Sequence, residues 1–151
     1  MPRFNHMELT LPPGKLAEHR HEIRTFFHEI FGFDALDVPI VGQNGLLLRT
    51  DAETSQFILV TEQEKSLHSP GYDHLGFLYD TREEVDVLHE KVKKFQQQDP
   101  RVMIKEYEDL KTGPVTVHAF YVKYLLPIWF DVQSIDWSSI APKKQWRYSE
   151  S

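Results

Sequence analysis

The sequence predicts an α+β protein in which two βαβββ modules form a curled mixed sheet around a cleft. Three observations carry that prediction. Strand-period segments flank two amphipathic helical stripes; each stripe follows one strand and precedes three; and the order restarts at His74-Leu75-Gly76-Phe77 much as it began at His6-Met7-Glu8-Leu9.

Phe4 to Leu11 sets Met7, Leu9 and Leu11 on one side and His6, Glu8 and Thr10 on the other, the alternation of a strand that Pro12-Pro13-Gly14 ends. From Lys15 to Phe31, Leu16, Ile23, Phe26, Phe27 and Ile30 recur at helical spacing, and Gly32 stands where a helix commonly stops in a left-handed residue. Asp37 to Val41 and Leu46 to Arg49 flank Gln43-Asn44-Gly45, whose Asn-Gly pair predicts the hairpin turn. Gly14, Gly42 and Gly45 read as turn glycines, Gln56 to Thr61 as a strand and Glu62 to Tyr72 as a linker.

His74 to Tyr79 opens the second module. Thr81 and Glu84 have capping-box spacing, and Val85, Leu88, Val92 and Phe95 stripe the helix that follows. Three strands follow, Val102 to Tyr107, Val115 to Val122 and Ile128 to Ile135. The modules span residues 4–63 and 73–135 of a single domain, 1–136, with 137–151 as a C-terminal tail. One helix per module covers one face of a sheet, so the helix-free face is where chemistry is sought.

Twenty-three acidic against 17 basic residues give a formal charge of −6 without a basic stripe, which argues against a nucleic-acid partner. The chain has no cysteine, which excludes disulfides, thiolate metal sites and cysteine nucleophiles. No apolar run suits a membrane span and the start lacks a signal-peptide stretch, so the expected address is the cytoplasm. Phosphate-binding glycine loops, nucleophile elbows and paired-carboxylate hydrolase motifs are absent.

Phe4-Asn5-His6-Met7-Glu8-Leu9, Phe26-Phe27-His28-Glu29-Ile30-Phe31-Gly32-Phe33, His74-Leu75-Gly76-Phe77 and Phe120-Tyr121-Val122 leading to Phe130-Asp131-Val132 stand in the order of a known family's signatures. In these the chain resembles the vicinal oxygen chelate (VOC) superfamily, which holds glyoxalase I, bleomycin-resistance proteins and the extradiol (type I) dioxygenases. It departs from that pattern in the closing hairpin. Tyr124-Leu125-Leu126-Pro127 replaces the usual aspartate-proline-aspartate-glycine, and Asp131 stands where relatives carry glutamate.

Strand parity sets His6, His74 and Asp131 opposite the apolar, helix-facing positions, and the resemblance implies that all three ligate a metal. Two imidazoles and one carboxylate are the facial donor set of non-haem iron(II) oxygenases, so Fe(II) is expected, with Mn, Zn or Ni as alternatives. Glyoxalase I needs a further ligand from the fourth strand, where repeat symmetry places the aliphatic Leu59. The resemblance gives Tyr121 the role of hydrogen-bonding a metal-bound substrate oxygen. Phe57, Leu59, Trp129 and Gln133 are the expected substrate-binding residues. Alternation points His118 to the other face, and His19, His21, His28, His68 and His89 read as solvated surface.

The expected function is therefore that of an extradiol-type dioxygenase acting on a small aromatic or catechol-like substrate. A metal-free binding protein of the bleomycin-resistance kind and a glyoxalase I-like lyase are the alternatives. A homodimer is expected, because the apolar turn Leu125-Leu126-Pro127-Ile128 would otherwise expose greasy surface, and Trp137, Trp146 and Tyr148 could pack across the interface.

Overall fold

The structure, a computed structural model, describes residues 2–137; Trp146 and Tyr148 lie outside the described residues. It divides into two compact units. The first runs up to Tyr72 and takes in Tyr124–Ile128; the second comprises Asp73–Lys123 and residues 129–137.

In the first unit, β1 (His6–Leu11), β2 (Asp34–Ile40), β3 (Gln43–Arg49) and β4 (Phe57–Glu62) form a mixed sheet in the order β1-β4-β3-β2. β1 and β4 run parallel, and the other pairs are antiparallel. Helix α1 (Lys15–Phe31) packs on β2, β3 and β4 through Leu16, Ile23, Phe26, Phe27 and Ile30, the five residues of the predicted stripe. Gly32, at φ +70°, closes it with its N–H on the His28 carbonyl.

The second unit repeats the plan. Strands β5 (His74–Tyr79), β6 (Met103–Glu106), β8 (Val115–Lys123) and β9 (Trp129–Asp136) lie in the order β5-β9-β8-β6, with β5 and β9 parallel. Helix α2 (Arg82–Gln98) buries Val85, Leu88 and Val92 and begins in the predicted Thr81–Glu84 capping box. An additional strand, β7 (Leu110–Thr112), pairs with the start of β8 while β6 pairs with its end. The two short strands occupy the position of β2, interrupted at Tyr107-Glu108-Asp109.

Three expectations are corrected. The first-unit hairpin turns at Val41-Gly42, with φ of 47° and 73°, and Asn44-Gly45 lies within β3 opposite Pro39 and Val38. Gly45 is therefore no turn glycine: an added Cβ would sit 3.1 Å from Ile40 Cγ2 and 3.3 Å from the Val60 carbonyl, so close strand approach is what requires it. Arg20 on α1 adds to this register by donating to the carbonyls of Asn44 and Gly45. Second, the apolar turn is not exposed. Tyr124, Leu126 and Ile128 are each buried, and the Tyr124 ring lies 4.6 Å from that of Phe26 within the first unit. Third, His89 and His19 are half-buried rather than solvated. His89 stacks on Phe120 at 4.5 Å, and His19 Nδ1 lies 2.9 Å from Glu22.

Among the described residues no helix is long and apolar enough to cross a membrane.

Candidate functional site

Register fixes which side chains share a face. In the second unit His74, Gly76 and Leu78 on β5 stand beside Trp129, Asp131 and Gln133 on β9, and Asp131 and Gln133 stand beside Tyr121 and Ala119 on β8. The opposite face carries Phe77 stacked on Phe130 and meets α2. His74, Asp131, Tyr121, Trp129 and Gln133 therefore lie together on the helix-free face, as alternation predicts.

Three of them converge. His74 Nε2 is 3.9 Å from Asp131 Oδ2 and 3.5 Å from the Tyr121 hydroxyl oxygen. Both separations are longer than good hydrogen bonds. Asp131 is only 7% exposed, and its Oδ1 is buried with no hydrogen-bond partner. Burial pushes its carboxyl pKa up, and the nearby His74 pulls it partly back. A buried carboxylate oxygen without a partner is costly in a fold and calls for a role. The His74 imidazole and the Asp131 carboxylate are two donors of the kinds a divalent cation takes.

Tyr121 is held as a phenol. Burial, then the Asp131 charge, then Tyr107 raise its pKa, and Lys105 opposes them. Its ring lies 4.8 Å from those of His74 and Tyr107, and Lys105 Nζ sits 5.3 Å from the Tyr107 centroid. Tyr107 and Lys105 are site neighbours that the sequence reading did not single out. The signal was present, since both share parity with Met103 in the same strand-period segment. Trp129 is buried beside His74, and the Gln133 amide would lie 3.4 Å from a Cβ placed on Gly76.

His6 and the expected contacts Phe57 and Leu59 belong to the first unit. His6 pairs with Phe57 across β1 and β4, their rings stacked at 5.0 Å and 7°. Leu59 is buried on the same face two residues further on. Among the described residues no three His, Asp or Glu side chains form a metal-holding group. The second unit alone supplies two protein donors.

His118 points to the helix side, as alternation predicts. Its Nε2 meets Asp86 at 2.7 Å and its Nδ1 meets Asp109 at 2.8 Å, tying α2 and the β6–β7 interruption to β8.

No protein-family model and no curated protein matches the sequence. Solved structures do match. The fosfomycin resistance protein FosX from Listeria monocytogenes, complexed with Mn(II) and sulfate, is similar with a TM-score of 0.62 at 18% identity, covering 89% of this chain and 90% of that one. Lactoylglutathione lyase from Agrobacterium tumefaciens gives 0.57 at 14% identity, covering 89% and 94%. An integron cassette protein of V. cholerae gives 0.53 at 17%, covering 89% and 95%. The chain shares the fold of these structures, built here as two βαβββ units. Within this fold the helix-free sheet face is where the second unit gathers its polar residues. The FosX structure carries Mn(II), and a FosX variant was solved with Mn(II) and a dihydroxypropylphosphonic acid.

Proposed function

We propose that the chain is a divalent-metal-dependent VOC enzyme acting on a small molecule that presents paired oxygen atoms. His74 and Asp131 are the proposed protein ligands in the second unit, and His6 is the proposed ligand in the first. The observation that carries the reading is Asp131, a buried carboxylate with an unpartnered Oδ1 beside His74 Nε2. Bound there, a divalent cation would supply Lewis acidity, polarising a coordinated oxygen and easing loss of a hydroxyl proton. The remaining work falls to the chain's own groups. Tyr121 keeps its proton at neutral pH and donates it as a hydrogen bond to developing negative charge on substrate oxygen. Tyr107 presents ring surface for a planar substrate, the buried Trp129 backs His74 as its cross-strand neighbour, Gln133 offers an amide for orientation, and Phe57 and Leu59 are the first unit's proposed substrate contacts.

The finer reading is an extradiol-type dioxygenase using Fe(II) and a catechol-like substrate. It is supported by the two-imidazole, one-carboxylate donor set and the aromatic residues around Tyr121. A second reading, non-oxidative chemistry with Mn(II), is favoured by the FosX and lactoylglutathione lyase similarities.

The deciding experiment is metal analysis of untagged protein after anaerobic loading, followed by catechol turnover under an oxygen electrode. About one metal ion per chain, lost in His6→Ala and His74→Ala, supports the proposal; no stoichiometric binding of Fe(II) or Mn(II) overturns it. Oxygen uptake with catechols selects the dioxygenase, and metal binding without uptake selects the second reading. A homodimer is also proposed, now resting on the edge strands of the two sheets, β1 and β2 in the first and β5 and β6 in the second. Light scattering at the 17.8 kDa monomer mass would refute it.

A further inference from the structure

We propose that Asn5 is a positioning residue that holds His6 with its Nδ1 protonated and its Nε2 lone pair presented for ligation, an inference that rests on His6 being a metal ligand.

The argument begins at an atom whose role is not open to choice. The Ser55 main-chain carbonyl can only accept, and Asn5 Nδ2 lies 3.0 Å from it. That contact decides which end of the Asn5 amide is nitrogen. The other end, Oδ1, then lies 2.8 Å from His6 Nδ1. An amide oxygen accepts and cannot donate, so a hydrogen bond there requires the proton on Nδ1. In a neutral imidazole the lone pair is then on Nε2.

The Ser55 end of the arrangement is held by further hydrogen bonds. Ser55 is pinned by Asp51, whose Oδ1 accepts from the Ser55 N–H at 3.1 Å and whose Oδ2 accepts from the Ser55 hydroxyl at 2.6 Å. The Gln56 N–H also donates to Asp51 Oδ2, and the Asn5 carbonyl accepts from the Phe57 N–H at 3.0 Å. The solvent-exposed His6 ring lies nearly parallel to that of Phe57, 5.0 Å away. The chain Asp51, Ser55, Asn5, His6 therefore carries the order of the β3–β4 loop to one ring nitrogen. Such outer partners of ligating histidines fix tautomer and aim, and their removal typically lowers metal affinity 10–100-fold.

The test is a long-range proton–nitrogen correlation spectrum of metal-free, 15N-histidine-labelled full-length protein at about pH 8.5, where an ordinary imidazole is neutral. His6 is expected to show the Nδ1–H pattern. In Asn5→Ala it is expected to relax toward the mixture of free imidazole, in which Nε2–H prevails, while Asn5→Asp, which keeps an acceptor oxygen, retains Nδ1–H. Mn(II) affinity, read by electron paramagnetic resonance, is expected to fall roughly 10–100-fold in Asn5→Ala and to recover in Asn5→Asp. An Nε2–H signal for His6 in the unsubstituted protein overturns the proposal, and that measurement decides even if Asn5→Ala fails to fold. An unchanged Mn(II) affinity in a folded Asn5→Ala overturns it as well. If the Nδ1–H pattern is found and no divalent metal binds the unsubstituted protein, the metal reading fails, and with it the role assigned to Asn5, while the tautomer stands.

Discussion

The two units share a strand order yet carry different chemistry at matching positions. β1-β4-β3 of the first unit corresponds to β5-β9-β8 of the second, so His6 matches His74, Phe57 matches Trp129, Leu59 matches Asp131 and Leu47 matches Tyr121. Even the strand entry is repeated: the Phe57 N–H donates to the Asn5 carbonyl and the Trp129 N–H to the Asp73 carbonyl, each at 3.0 Å. What differs is polarity. At the matching positions the first unit sets its imidazole with Phe57, Leu59 and Leu47, and the nearby Glu8 carboxylate already accepts from the Thr61 hydroxyl; the second sets an imidazole, a buried carboxylate and a phenol together. Duplication of a fold therefore need not duplicate a site, and the asymmetry assigns most of the proposed chemistry to the second unit.

The sharpest way to break this comparison is to make the second unit resemble the first. Asp131→Asn removes the charge that Leu59 lacks, and metal affinity is expected to fall by more than about 100-fold, beyond the range of outer-partner losses. Titration calorimetry with Mn(II) checks it, with circular dichroism confirming the fold. Because burial raises the Asp131 pKa in the folded state, ionisation there opposes folding, and stability falls as pH rises through that pKa. Asp131→Asn is expected to lose this dependence. Retained metal binding would transfer the centre elsewhere.

Tyr121→Phe comes next. It deletes a donor whose counterpart is Leu47, and kcat is expected to drop about 100-fold with metal content unchanged, as steady-state kinetics and metal analysis would show.

A smaller effect separates the units in acid. Arg82, then His118, hold the Asp109 carboxyl down at about 2. With its folded pKa below the unfolded value of about 3.9, Asp109 stabilises above that value and loses the contribution as pH falls toward the folded one. Acid unfolding of Asp109→Asn is expected to lack that step. An unchanged acid limb would mean that solvent screens the network.

The smallest effect concerns the helix starts. α2 has the Thr81 capping box, whereas α1 begins at Gly14, φ +84°, without a side-chain cap. Thr81→Ala is expected to cost about 1 kcal/mol in denaturant melts. In the first unit a comparable loss requires Gly14→Ala, through backbone strain in place of a lost hydrogen bond.

Much of this was legible before the structure. The α1 stripe, the Gly32 stop, the capping box, and the faces of His74, Asp131, Tyr121 and His118 all follow from periodicities of 3.6 and 2. The hairpin was not. Asn44-Gly45 has the stronger local turn preference, yet the chain turns at Val41-Gly42 and accepts a positive φ at a β-branched valine. Arg20 bonding the Asn44 and Gly45 carbonyls, and a tight fit of Gly45 against Ile40 and Val60, outweigh that preference. Nor could sequence show that Tyr124 packs on Phe26, because an apolar turn reads alike whether covered or exposed.

The sequence by itself determined the elements, their order, their repetition and the side of each strand on which a residue falls. These depend on backbone geometry within a few residues, which local composition encodes. Only the tertiary structure decided that Asp131 is buried with an oxygen unpartnered, that Tyr121 and His74 lie near it, and that the Asn5 amide is turned between the Ser55 carbonyl and His6 Nδ1. Those properties are distances between groups far apart along the chain, and they are set by packing and register summed over whole strands, where no single residue's preference prevails.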